Sequence, residues 1–281
     1  MIPSDFVYFK PKSFEEALVV YYRIAAAGGA PYFYGGGTDI ISLARRNKIR
    51  PDVVIDIKGI PECRQFYTDQ DRIIIGAATV LNRIVTSAAY PLLSTVCREI
   101  ADHTNRNRIT LGGALCGGRV YKEAALPFLL GDGEALIADS AGIHRVSAKM
   151  LLNGKARWPS NVLLLQLFIE RDAVRAPYFF KKRTRNSKVD YPLVSVAGLQ
   201  KDGKARIAVS GVCPYPFRSE AMEEVLNDSN LSPPTRARHA LEHLPGAVLN
   251  DFRGSAEYRL FVLEDLLLRV MAHEEGGKVD E

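Results

Sequence analysis

The sequence predicts an α+β fold, and two observations carry that expectation. Helical and strand patterns alternate through residues 1–58 and then segregate into strands followed by helices, which disfavours a doubly wound sheet. Three polar turns, DQD, SAG and KDGK, each separate two strand-like runs and read as hairpins. The 281 residues are 47% hydrophobic and 25% charged, an ordinary globular composition long enough for two or three subdomains. The net charge of +5 suits an anionic cofactor or substrate as well as a solvated lysine-rich surface. No basic stripe interleaved with aromatics points to nucleic acid.

In chain order, SFEEALVVYYRIAAA (13–27) predicts a helix. Ser13 and Glu16 fit a capping box, and Phe14, Ala17, Leu18, Tyr21 and Ala25 recur at helical spacing. Gly28 and Gly29 end it. PYFY (31–34) is a short strand, and Thr38 or Asp39 is expected to cap a second helix running to Asn47. DVVIDI (52–57) reads as a strand buried on both faces. RQFYT and RIIIGAA form one hairpin, ALIAD and IHRVSA another, and VLLLQLFIE a further strand. TVLNRIVTS and YPLLSTVCREIADH look helical, the latter as one long helix. After the basic segment KKRTRNSK (181–188), read as a solvated loop, come two strands around KDGK and three helices near 218–227, 234–244 and 256–273. The tail EEGGKVDE is expected to be disordered.

Four scattered cysteines make no CxxC pair, which argues against a zinc site, a self-contained iron–sulfur cluster or a disulfide framework. The N-terminus MIPSDFVYFK has no signal-peptide pattern, and the longest apolar run, VLLLQLFI, is too short to span a bilayer. A cytoplasmic protein without membrane contact is expected.

The functional question is posed by PYFYGGGTDIISLARRNK (31–48). Three consecutive glycines let a ligand lie against bare backbone, and the following helix start offers unpaired N–H groups to an anion. The bland alternative is a tight turn with no ligand. Gly35-x-Gly37 also begins a dinucleotide fingerprint, with Asp56 near where a ribose-binding acid would sit, but Ile40 occupies the third glycine position. A second glycine-rich stretch, NRNRITLGGALCGG (105–118), suggests the other wall of one elongated cleft able to hold a diphosphate.

With SFEEAL, GGGTDI, DVVIDIKGIPE, RIIIGAATVL, Arg106-Asn107 before TLGG, DYPLVSVAG, SGVCPYPFRSEAMEEVL and GSAEYR in this order, the chain resembles the FAD-binding medium subunit of the molybdenum hydroxylases, the family of xanthine dehydrogenase and aerobic carbon monoxide dehydrogenase. The resemblance implies an FAD-binding subdomain at 1–58, a second at 59–172 and a C-terminal domain at 173–281 of the carbon monoxide dehydrogenase flavoprotein type, with FAD between the first two. This FAD-binding arrangement is also that of vanillyl-alcohol oxidase.

It implies that Phe33, Tyr34, Gly35, Gly36, Gly37, Thr38, Asp39 and Ile40 hold the diphosphate and that Thr110, Leu111, Gly112, Gly113 and Ala114 form the second loop. Glu123 would stand for the family's aspartate, and Leu165 and Lys182 would lie near the flavin ring. No catalytic base and no metal ligand is implied. Electrons would pass from a [2Fe–2S] subunit through FAD to NAD or another acceptor, beside a molybdopterin-binding large subunit. Two alternatives remain, a flavin-free assembly scaffold and a free-standing FAD-dependent oxidase.

The sequence departs from the family pattern at Ala114, where an asparagine is usual, and at GGRVYK (117–122) and Glu123. Loss of the asparagine removes a hydrogen bond worth about 0.5–1.5 kcal/mol. Cys116 reads as a small buried hydrophobe rather than a redox thiol, and His239 and His243 as a surface pair rather than metal ligands.

Overall fold

The computed structural model describes residues 2–274 except 70, 156 and 187–189. The expected tail beyond Glu274 and the end of KKRTRNSK therefore lie outside the described residues.

The described residues form three sheets. The first is parallel and three-stranded, with Val53–Asp56 between Val7–Phe9 and Pro31–Tyr34. Every residue of Val53–Asp56 is buried, the apolar Val53, Val54 and Ile55 and the carboxylate of Asp56 alike. The edge strand Val7–Phe9 was not legible, because three residues carry no measurable period. Helix Phe14–Ala26 packs on this sheet through Ala17, Leu18 and Tyr21. Ser13 caps it by accepting from the Glu16 N–H at 3.3 Å, and Glu16 reaches back one residue further than expected, to the Lys12 N–H at 2.8 Å.

The second sheet is antiparallel, ordered Phe66–Thr68, Arg72–Gly76, Leu163–Glu170, Glu134–Asp139, Gly142–Ser147. The long helix expected over YPLLSTVCREIADH is broken. Pro91–Arg98 stops, Ala101 takes φ 52, and a single turn, His103–Arg106, follows. Arg106 explains the break: its guanidinium donates to the carbonyls of Arg98, Ile100 and Ala101, which a continuous helix would have used internally.

The third sheet, Phe217–Arg218, Lys204–Ser210, Pro192–Lys201, Tyr178–Thr184, is covered by helices Glu220–Leu226, Pro233–Ala240 and Ala256–Glu274. Its central hairpin turns at Asp202 and Gly203, both at positive φ (55 and 72), the geometry an Asp-Gly pair supplies. Lys181 to Thr184, read as loop, belong to the Tyr178–Thr184 strand, where alternate residues face water. One apolar core runs through the first two sheets, and a second lies between the third sheet and its helices.

Candidate functional site: a cleft between the glycine segments

A cleft of about 860 Å³ brings both glycine segments together. Its floor begins where strand Pro31–Tyr34 turns through Gly35–Gly37 into helix Thr38–Arg45. Gly37, rather than Thr38 or Asp39, is the N-cap. It sits at φ 73, and a Cβ there would overlap the Tyr34 ring. A glycine cap has no side chain to offer, so among the described residues the N–H groups of Thr38, Asp39 and Ile40 find no protein partner.

The second segment is not a loop. Thr110 caps a short helix, Leu111–Cys116, by accepting from the Gly113 N–H at 3.1 Å. Leu111 and Gly112 donate to the carbonyls of Thr79 and Ala77, each at 2.8 Å, and Ala114 donates to Thr110 at 2.9 Å. The N–H groups of Leu111 to Ala114 are therefore already bonded within the protein, so this stretch shapes the cleft but does not offer a phosphate the open helix start that Thr38–Arg45 does.

The glycines also serve chain packing. A Cβ at Gly36 would overlap the Arg108 carbonyl, and one at Gly35 would press on the Thr110 side chain. Two of the three consecutive glycines thus let the walls meet.

Of the residues singled out by sequence, Phe33, Gly35, Gly36, Gly37, Thr38, Asp39, Ile40, Thr110, Gly112, Gly113, Ala114, Glu123 and Lys182 line this cleft. Tyr34, Leu111 and Leu165 do not. Tyr34 packs beneath Gly37 and under Lys58, whose ammonium lies 4.7 Å from its ring. Leu111 and Leu165 are fully buried, and Leu163 and Leu164 face the cleft beside Leu165 instead. Asp56, the ribose-acid candidate of the fingerprint reading, lies outside the cleft lining. It accepts from the Tyr8 hydroxyl, from the Lys58 N–H at 3.0 Å, and pairs with the Lys58 ammonium at 2.7 Å. Its role is to join strands.

At the far wall Lys182 and Glu123 form a buried pair, Nζ to Oε1 3.6 Å, and Lys182 also donates to the Glu99 carbonyl at 2.7 Å. Asp39 neither caps nor stands free. Arg119 donates to it through Nε at 2.7 Å, bridging the two glycine segments. The same guanidinium bonds the Tyr191 hydroxyl, and the Tyr191 ring lies between Arg119 (4.8 Å) and Arg253 (4.7 Å). Cys116 lines the cleft with its thiol pushed up to about 12 by burial, an unreactive state in keeping with a small hydrophobe.

Sequence reasoning flagged GGRVYK (117–122) only as a departure from the family pattern and gave no role to Lys122, which is 3% exposed and lines the cleft. It also missed Arg119 and Tyr191. No periodicity marks such residues, since each comes from irregular chain or from a distant sheet. Among the described residues no cluster could hold a metal ion, and no helix is long and apolar enough to cross a membrane.

A helix start with free donors and buried lysines in the same cleft suit an extended diphosphate cofactor. Residues 4–169 match the family model described as FAD binding domain in molybdopterin dehydrogenase, and residues 178–273 match that of the CO dehydrogenase flavoprotein C-terminal domain. The 6-hydroxypseudooxynicotine dehydrogenase complex subunit alpha of Paenarthrobacter nicotinovorans is 28% identical over 97% of this chain and 95% of its own length. The carbon monoxide dehydrogenase medium chain of Hydrogenophaga pseudoflava is 25% identical over 96% of this chain and 97% of its own. Among solved structures, a carbon monoxide dehydrogenase from Hydrogenophaga pseudoflava superposes with a TM-score of 0.85 at 24% identity, covering 96% of both chains. Quinoline 2-oxidoreductase from Pseudomonas putida 86 gives 0.83 at 24% identity, covering 97% of both. These two likenesses establish the fold.

The chain belongs to the family of FAD-binding medium subunits of the molybdenum hydroxylases. It is an oxidoreductase component, and its cofactor is FAD. The residues present fit that group: among the described residues the N–H groups of Thr38, Asp39 and Ile40 have no protein partner, and these residues line the cleft.

Proposed function

We propose that this subunit passes electrons from a [2Fe–2S] partner through FAD to NAD or another acceptor, in an assembly with a molybdopterin-binding large subunit. The observation that carries the reading is the cleft itself, with free donors at the Thr38–Arg45 helix start and a buried Lys182–Glu123 pair in the same lining. FAD, when bound, supplies the ability to take up electrons one or two at a time. One relative is named a complex subunit and another a medium chain, which supports a chain that works inside an assembly. The four cysteines are all unpaired, in keeping with a reducing cytoplasm.

In this reading Gly35 to Ile40 hold the diphosphate, the N–H groups of Thr38, Asp39 and Ile40 donating to it. Phe33 and Ile40 provide apolar walls, and Tyr34 supports the turn from beneath. Thr110 to Ala114 form the opposing wall, with Leu111 anchoring it in the core. Glu123, oriented by Lys182, accepts from the ribityl hydroxyls, and Lys182 stands near the ring, with Leu165 behind it. The chain divides at residues 58 and 172 into two FAD subdomains and a C-terminal domain.

The flavin-free scaffold reading has one observation in its favour, the Arg119–Asp39 bridge across the cleft mouth. Purification of the full chain decides between them. A yellow protein that takes up one FAD, and that an iron–sulfur partner reduces, supports the proposal. A colourless protein with no affinity for added FAD contradicts it. Turnover of a small substrate by the chain alone would favour a free-standing oxidase.

A further inference from the structure

Lys122 is the cleft residue whose position asks most for explanation. It is 3% exposed, yet among the described residues its ammonium makes no ion pair and no hydrogen bond. Its own N–H is held by the Ser210 hydroxyl at 3.3 Å, which fixes residue 122 against the C-terminal sheet. The neighbouring carboxylate, Glu123, is taken by Lys182. The neighbouring thiol, Cys116, is neutral, its own ionisation pushed up to about 12 by burial. Lys122 thus stands in the cleft wall with no carboxylate of its own, since Glu123 is paired with Lys182. A buried ammonium without a counter-charge is held against the cost of leaving water. Burial accordingly lowers its pKa, with Cys116 acting weakly the other way.

The cleft therefore has two anion-attracting places on different elements. One is the Thr38–Ile40 helix start, which suits the diphosphate. FAD has only one diphosphate, but its ring gains negative charge on reduction: two electrons and one proton convert the neutral ring to an anion.

We infer that Lys122 contacts the flavin ring and supplies the positive charge that stabilises FAD in its reduced, anionic form. The electrons come from an iron–sulfur donor in the proposed complex and from dithionite in the test. The inference rests on FAD occupying the cleft, and not on the identity of donor or acceptor.

The test is the midpoint potential of FAD bound to the full chain, with affinities for oxidised and reduced FAD measured separately. Lys122→Met is expected to bind oxidised FAD within about threefold of the parent protein and reduced FAD about tenfold more weakly. For a two-electron couple that tenfold change lowers the potential by about 30 mV. Lys122→Arg, which keeps the charge, is expected to retain the parent potential, and Lys122→Gln covers the case in which the methionine variant fails to fold. An unchanged potential in the neutral variants, or equal weakening of both oxidation states, overturns the inference. A parent protein that binds no FAD at all would instead overturn the cofactor reading on which it stands.

Discussion

Gly36 lies against Arg108 so closely that any Cβ would overlap the Arg108 carbonyl oxygen. This contact joins the two cleft walls, and it explains why the chain bears glycine where one residue later would have sufficed for a turn. Gly36→Ala must push Arg108 and the Thr110 cap away. The expected cost is about 3 kcal/mol, the upper range of overpacking, since the obstacle is backbone. Urea unfolding and FAD titration check this together: the unfolding midpoint falls and FAD affinity drops with it. An alanine variant of parental stability would mean that the walls are not in contact.

Arg119 neutralises Asp39 beside a helix start that otherwise favours anions. Both side chains are partly exposed, so Arg119→Ala should cost less than about 1 kcal/mol in stability. Its effect on cofactor binding is larger, because the uncovered carboxylate then repels a diphosphate. FAD affinity is expected to fall roughly tenfold, about 1.4 kcal/mol, and the Asp39→Asn, Arg119→Ala double variant should recover most of it. A double-mutant cycle measures that coupling, and additive losses would show that the pair does not act through charge.

Asp56 gives a pH-dependent signature of the first sheet. Burial alone would raise its carboxyl, but hydrogen bonds from Lys58 and Tyr8 outweigh burial and hold it below the ordinary value of 3.8. Because the folded-state pKa is depressed, the stabilisation is present above pH 3.8 and is lost as pH falls through the lower folded value. Asp56→Asn should therefore destabilise the protein at neutral pH, by about 2 kcal/mol for a charge-assisted network, and the difference from the parent should shrink in acid. Denaturation at a series of pH values reads this directly. A gap that stays constant into acid would contradict it.

Arg259 anchors the C-terminal sheet to its last helix. Fully buried, it donates to the carbonyls of Leu193 and Gly211 and to Asp251, each at 2.7 Å. Arg259→Met leaves these acceptors without a donor, at an expected cost of about 3–5 kcal/mol. Lysine, which lacks the planar fork, should rescue only part. Thermal unfolding of the two variants checks the order parent, lysine, methionine.

Much of the fold was legible because period and turn chemistry are local. The hairpin at Asp202-Gly203, the Ser13 cap and the buried Val53–Asp56 strand followed from neighbours in sequence. The break at Ala101 was not, since it depends on Arg106 reaching back to carbonyls that periodicity assigned to a helix. At the site, GGGTD and TLGG were found as glycine clusters and do meet in one cleft. Their division of labour was hidden. Only tertiary hydrogen bonds from Leu111 and Gly112 to Thr79 and Ala77 reveal that the N–H groups of that turn are already taken. Lys122 and Tyr191 escaped notice because burial and cross-sheet contact decide their importance, and neither is a local property.

A crystal structure of the full chain soaked with FAD tests the account most directly, by the position of the diphosphate. The expected result is phosphate oxygens within hydrogen-bond distance of the Thr38, Asp39 and Ile40 N–H groups, with the Thr110–Ala114 segment facing them and making no N–H contact. A diphosphate held instead by Leu111, Gly112 or Gly113, or bound away from both glycine segments, would contradict it.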